Sequence, residues 1–280
     1  MGKRKIIYLA IAVFLSCTWL TTRSQDSLTI KPDTIVFKSG DLSLKGLLWK
    51  PEGKGPFPAV LFNHGSELNS LKYLPVVGYY FVQHGYAFFV PFRRGQSLSA
   101  GQGKYIGEVL DSILKTQGPE ARSAAAIPLH EKEQLQDQIS GLLALKKIKG
   151  IDSTKIAVAG VSFGGIQTML MACQKYGVKA AVNFAGAAMM WKESETVREW
   201  MKKLAANTTI PVFFVQAEND FSTEPSIQGA AAMENAGKTY KIKIYPPNGT
   251  RQIDGHLFVR KGKIWGEEVF EFLDKYVLGK

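Results

Sequence analysis

Ser162 has glycine two places before and two places after it in Gly160-Val161-Ser162-Phe163-Gly164. The β-rich run Lys155-Ile156-Ala157-Val158-Ala159 precedes this segment, and a helical pattern over residues 166–176 follows it. A serine on a sharp strand-to-helix turn needs glycines at those two positions, because side chains there would collide with the neighbouring strand and helix. The turn lifts the hydroxyl above its surroundings, and the helix N-terminus sets backbone N–H groups and a positive dipole end beside developing negative charge. The chemistry open to such a serine is nucleophilic acyl transfer. The same five residues elsewhere would be a plain glycine turn; the strand before and the helix after are what point to a nucleophile.

A serine hydroxyl attacks only when a base takes its proton and a third group orients that base. One histidine lies downstream, His256 in Asp254-Gly255-His256-Leu257, so the base falls to it by elimination, with a surface-loop histidine as the competing reading. The acid is expected at Asp220 in Ala217-Glu218-Asn219-Asp220, between the serine and the histidine in a loop leaving an apolar run. Glu218 and Asp254 compete for that role, and helix capping or turn formation is the alternative for Asp220 itself. An oxyanion needs two N–H donors. Phe163, directly after the serine, supplies one, and the loop Asn63-His64-Gly65-Ser66 supplies the other from Ser66 or Gly65. His64 is expected to brace that loop or to touch substrate. Arg93, in Arg93-Arg94-Gly95, could hold a substrate carboxylate in a bidentate grip or tie loops together.

Positioning these groups requires strands that end near one another. Alternating residues over 34–38 and 42–50, around Ser39-Gly40-Asp41, predict an edge β-hairpin. Continuous apolar runs follow at 59–63, 87–92, 155–161, 178–184, 212–216 and 241–245, as in parallel strands buried on both faces. Helical patterns cover 72–84, 130–149, 163–176, 193–206, 224–237 and 264–277. The expected fold is therefore α/β, a mostly parallel eight-stranded sheet with helices on both faces after an opening hairpin. Residues 95–126 break the rhythm with glycine, serine and alanine and read as a long loop, either a lid or a surface excursion. Met189, Met190, Trp191 and Trp200 could line a cap or pack in the core.

With these segments in view, residues 30–280 resemble the α/β-hydrolases, in particular the dienelactone hydrolase-like and prolyl oligopeptidase-like branch. Asn63-His64-Gly65-Ser66, Arg93-Arg94-Gly95, Gly160-Val161-Ser162-Phe163-Gly164, Asn219-Asp220 followed by Pro225, and Gly255-His256 occur in that branch's order. The resemblance implies Ser162 as nucleophile, Asp220 as acid, His256 as base, and Phe163 and Ser66 as oxyanion donors. Dienelactone hydrolases proper use cysteine where this chain has Ser162, and prolyl oligopeptidases carry a large N-terminal propeller. Simple ester hydrolysis is thus expected, with an exopeptidase, an amidase or an acyl-CoA thioester hydrolase as alternatives and an inactive binding scaffold as a further class.

The bulk numbers narrow the partners. Lys3, Arg4 and Lys5 precede an apolar run over residues 6–15, the pattern of a secretory signal, and that run falls short of the roughly 20 residues of a membrane span. Cleavage after Ser24 is expected, giving a signal peptide (1–24) and one α/β-hydrolase domain (25–280); a lipoprotein tethered through Cys17 is the alternative. Either route exports the protein, to the periplasm or beyond the cell. Losing Lys3, Arg4, Lys5 and Arg23 lowers the net charge from +11 to +7, and the remaining excess is scattered, which gives nucleic-acid binding no support. The expected partner is a small ester or acyl substrate, with no stable membrane span after processing. Histidines 64, 84, 130 and 256 lack metal-ligand spacing, and no cofactor is implied.

Overall fold

The computed structural model describes residues 30–280; residues 1–24 and Cys17, on which the export expectation rests, lie outside them. The chain opens with β1 (Asp33–Ser39) and β2 (Leu42–Trp49), antiparallel and in register from Asp33 opposite Leu48 to Ser39 opposite Leu42. Gly40, at φ +57°, takes the left-handed turn between them, a conformation cheap only without a Cβ.

Six more strands follow: β3 (Phe57–Asn63), β4 (Ala87–Pro91), β5 (Ile151–Val161), β6 (Ala181–Phe184), β7 (Val212–Ala217) and β8 (Tyr240–Tyr245). The sheet order is β1-β2-β4-β3-β5-β6-β7-β8. β2 meets β4 antiparallel, and every pairing from β4 through β8 is parallel. This is the expected eight-stranded, mostly parallel sheet.

Hydrophobic clusters cover both faces. On one face the fully buried Trp265 packs its rings against Phe184 at 5.1 Å and Phe81 at 5.9 Å. On the other face Leu142 and Met169 are buried completely. Each such side chain contributes about 1.5–3 kcal/mol by leaving water, so the sheet is held from two sides. That explains why its strands read as unbroken apolar runs.

The helices are α1 (Leu74–Gln83), α2 (Ile106–Gln117), α3 (Pro119–Leu129), α4 (Leu135–Leu145), α5 (Phe163–Ala172), α6 (Glu195–Ala206), α7 (Glu224–Asn235), α8 (Gln252–His256) and α9 (Gly262–Leu273). Residues 95–126 thus correct the sequence reading. They are not a loop but hold a helical hairpin, α2 and most of α3, with Gly118 at φ +87° between the helices. Pro119 suits the first turn of α3, where a missing N–H leaves nothing unsatisfied. Pro128 lies inside α3, and the wide π-turn His130–Gln134 follows it before α4 begins. A π-turn is a usual way to absorb a break in the i→i−4 ladder. Among the described residues, no helix is long and apolar enough to cross a membrane.

Candidate active site

The sequence-predicted residues gather at the carboxyl ends of β3, β5, β7 and β8, the edge where parallel sheets bind ligands. Ser162 follows β5 at φ +57°, ψ −119°, a backbone state that a non-glycine residue holds only under constraint from its surroundings. That constraint is visible. Its N–H donates to the Phe184 carbonyl at 2.9 Å, and its own carbonyl accepts from the Gly165 N–H at 2.9 Å. A Cβ on Gly164 would overlap the Asn63 carbonyl, and one on Gly160 would overlap the Gly164 carbonyl. The glycine spacing is therefore a consequence of backbone packed directly on backbone.

His256 ends α8 and Asp220 follows β7; both are almost wholly buried. The His256 Nδ1–H donates to Asp220 Oδ1 at 2.8 Å. Asp220 Oδ1 also accepts from the Phe221 N–H at 2.6 Å, and Oδ2 accepts from Gln216 Nε2 at 2.7 Å. Of the three competing acids, the structure brings Asp220 to His256. Glu218 is exposed. Asp254 is occupied by Arg251, with hydrogen bonds of 2.7 and 3.0 Å that hold its carboxyl down to about 2, and the pair caps the start of α8.

Asn219, which sequence reasoning passed over, fastens the two loops together. Its Nδ2 donates to the carbonyls of Asn248 and Arg251, both at 3.1 Å, and its Oδ1 accepts from the Asn248 N–H at 2.8 Å. Gly255 packs so tightly on this amide that a Cβ would sit 2.6 Å from Asn219 Oδ1.

The residues expected to donate to an oxyanion are Phe163, at the start of α5, and Ser66 or Gly65, in the loop after β3. As the first residue of α5, Phe163 has an N–H with no intrahelical partner. Of the two candidates in the other loop, the Gly65 N–H is directed to the Tyr73 hydroxyl at 3.3 Å, whereas Ser66 is exposed and lines the same cavity as Ser162 and Phe163.

His64 and Arg93 are not among the residues lining that cavity, and of the two roles open to each, their contacts are those of a loop brace. Both are fully buried. Arg93 Nη1 donates to the His64 carbonyl at 2.9 Å, Nη2 to the Gly65 carbonyl at 2.6 Å, and Nε to Gln96 Oε1 at 3.2 Å. Burial, and then the Arg93 charge, push the His64 ring well below its ordinary range, so it is neutral. Its Nδ1–H donates to Gly65 O at 2.9 Å, and Nε2 accepts from the Arg93 N–H at 3.4 Å. The pair is a brace for the loop that carries Ser66.

The cavity, about 190 Å³, lies between α2, α3, the start of α5 and the segment after β6. Ile106 and Leu110 of the hairpin form a small apolar cluster with Ala126 and Phe163. Tyr105, just before α2, donates from its hydroxyl to the Ser66 carbonyl at 2.6 Å. Opposite, Ala185 and Ala187 take left-handed φ values of +56° and +65° in the turn leaving β6. Met189 and Met190 line the cavity, while Trp191 is in the core and Trp200 donates to Glu131 at 2.7 Å. The expected choice between cap and core is thus divided among the four residues.

Known proteins agree with this architecture. A model of the dienelactone hydrolase family matches residues 44–265. A curated Bacillus subtilis (strain 168) protein named uncharacterized peptidase YtmA is 25% identical over 217 residues, covering 75% of this chain and 74% of that protein. The solved Pyrococcus horikoshii acylaminoacyl peptidase superposes with a TM-score of 0.62 at 20% identity, over 88% of this chain and 42% of that one. This chain therefore spans about two-fifths of that peptidase. The Pyrococcus furiosus esterase PF2001 gives a TM-score of 0.61 at 14% identity, over 89% and 91% of the two chains. At these identities the structural likenesses establish the fold.

Proposed function

The chain belongs to the dienelactone hydrolase family, and from that premise we propose that it is a serine hydrolase cleaving carboxylic esters through an acyl-enzyme on Ser162. The observation that carries the reading is the buried His256–Asp220 hydrogen bond of 2.8 Å, held at the same sheet edge as a serine on a strained strand-to-helix turn. With Nδ1 occupied by Asp220, His256 has Nε2 to take the Ser162 proton as the hydroxyl oxygen attacks the ester carbon. The carbonyl oxygen becomes an oxyanion facing the N–H groups of Phe163 and Ser66, donors that require no reorganisation when charge develops. His256 then gives its proton to the leaving alcohol. Water, activated by the same imidazole, attacks the acyl-enzyme and releases the acid.

Fluorophosphonate labelling tests the nucleophile. Ser162 is expected to carry the label and Ser162→Ala to abolish it; a folded, unlabelled wild type would overturn the reading.

A second reading, an exopeptidase or amidase with the same residues, is supported by the curated relative being named a peptidase. Short p-nitrophenyl esters, aminoacyl p-nitroanilides and acyl-CoA thioesters separate the classes. Esters are expected to be turned over fastest, and dominant anilide cleavage would transfer the assignment to peptidases. Residues 1–24 support action outside the cytoplasm. N-terminal sequencing of the exported protein is expected to begin at Gln25, and a chain beginning at lipidated Cys17 would replace that reading.

A further inference from the structure

His130 has no part in the mechanism above, yet it faces the same cavity as Ser162. It is fully buried at the start of the π-turn, with its ring stacked on Phe163 at 3.9 Å between centroids. Its protonation pattern follows from its neighbours. The Gln167 amide nitrogen lies 3.2 Å from the His130 carbonyl, which can only accept, and 2.9 Å from His130 Nδ1. The same NH2 group therefore donates to both, Nδ1 is an acceptor, and the ring proton sits on Nε2. Burial, reinforced by the Arg93 charge, lowers the ring to about 3, so it remains neutral. Nε2 is buried and has no hydrogen-bond partner among the described residues. A buried donor left unmade costs about 1–3 kcal/mol, which a neutral acceptor reaching Nε2 from the cavity would offset.

Several features describe that acceptor. Ile106, Leu110, Ile166 and Ala188 make much of the wall apolar. The charged groups facing the cavity are Asp111, Arg122 and Glu193, and Arg122 is already paired with Glu193 at 3.2 Å. With the Arg93 guanidinium against Phe163 these charges cancel, so no surplus cation is left to draw a carboxylate ligand. A cavity of about 150 Å³ accepts benzene, so about 190 Å³ accommodates an arm of roughly six carbons. The acyl arm stays bonded to Ser162 while the alcohol must leave, so a cavity bordered by Ser162 suits the acyl side.

We propose that His130 is a specificity-determining residue whose Nε2–H donates a hydrogen bond to a neutral carbonyl oxygen on a short apolar acyl arm filling this cavity. The preferred substrates are then keto-acyl or amido-acyl esters rather than plain alkanoyl esters. This rests on Ser162 being the nucleophile, and the experiment separates the two ideas.

The p-nitrophenyl esters of hexanoate, 4-oxohexanoate and 5-oxohexanoate are compared on wild type, His130→Phe and His130→Gln, with fluorophosphonate labelling alongside. Wild type is expected to favour one oxo ester over hexanoate by about tenfold in kcat/KM, chiefly through KM. His130→Phe is expected to erase that preference, read as the ratio of oxo-ester to hexanoate kcat/KM within the same variant; His130→Gln, still a donor, restores part of it. No oxo preference, or an equal loss on all three esters in His130→Phe, overturns the proposal. If wild type is neither labelled nor active, the nucleophile assignment falls instead. The cavity is then tested by titrating wild type with 2-hexanone and following the His130 Nε2–H resonance by NMR. A saturable shift supports recognition and an unmoved resonance sinks it; the same titration decides if the variants fail to fold.

Discussion

The Arg93 guanidinium lies over the Phe163 ring, Cζ 4.5 Å from its centroid, while its nitrogens hold the carbonyls of His64 and Gly65. One buried cation therefore touches both halves of the proposed oxyanion pocket, the residue after Ser162 and the loop ending in Ser66. Arg93→Met preserves much of the volume but leaves the buried His64 carbonyl without a donor and the Gly65 carbonyl with only the His64 Nδ1–H. It is expected to lose about 2–4 kcal/mol in urea unfolding, and to lower kcat about 10–100-fold, less than outright loss of an oxyanion donor. A folded Arg93→Met enzyme with wild-type kcat would show that the brace does not reach the chemistry.

Asn219 acts at a similar remove, through the loop that carries His256. Asn219→Ala removes its hydrogen bonds to the 248–251 segment, three of 2.8–3.1 Å and a longer one of 3.4 Å to the Gly249 carbonyl. Net hydrogen bonds contribute about 1 kcal/mol each, so a loss of about 2–3 kcal/mol is expected. Misplacing His256 should slow fluorophosphonate labelling and kcat together by about tenfold or more. An equal loss of stability with unchanged labelling would reduce Asn219 to a structural tie.

Much of this arrangement was legible in the sequence, for physical reasons that also explain what was not. Parallel strands covered on both faces must be apolar throughout, so β3, β4, β5 and β7 stand out as runs. Ser162, Asp220 and His256 could be picked because backbone crowding dictates the glycines around the serine and one histidine follows it. Residues 95–126 hid their helices, because α2 buries only Ile106 and Leu110 and α3 carries prolines at 119 and 128. His130 gave no signal, since its partner Gln167 is 37 positions away and only folding joins them. Nothing in Arg93-Arg94 tells a buried brace from a rim cation.

Acid should unfold the protein through two neutral, buried imidazoles. His64 is held well below the ordinary value and His130 at about 3, both by burial first. Above about pH 6.5 these rings are neutral in both states and contribute no pH dependence. As pH falls below that, the unfolded chain takes up protons that the folded chain refuses. Stability then declines by about 1.4 kcal/mol per pH unit for each ring. For His130 the decline ends near pH 3, where the folded ring also protonates. Urea midpoints between pH 7 and 4 are expected to fall, and His130→Gln to remove about one proton from the slope. An unchanged slope in that variant would mean the ring is charged in the folded state.

Every group around the Asp220 carboxylate is a donor: His256 Nδ1–H, the Phe221 N–H and Gln216 Nε2. Asp220→Asn must therefore set its NH2 against one of them. Turned toward His256, the amide forces the imidazole into the wrong tautomer, with the proton on the nitrogen that should receive it from Ser162. Turned toward Gln216, it meets an amide that cannot rotate, because Gln216 Nε2 also donates to Ser222 O at 2.7 Å and Oε1 accepts from Ser226 Oγ at 2.7 Å. Neither arrangement recovers both the charge and the geometry. The variant is expected to fold, to lose about 1–3 kcal/mol, and to lower kcat by about 10³–10⁴ with little change in KM, the scale that tautomer reversal produces in serine hydrolases. Glu218→Gln, at an exposed position, is expected to leave kcat unchanged. If Glu218→Gln proved as damaging as Asp220→Asn, the orienting acid would have to be reassigned.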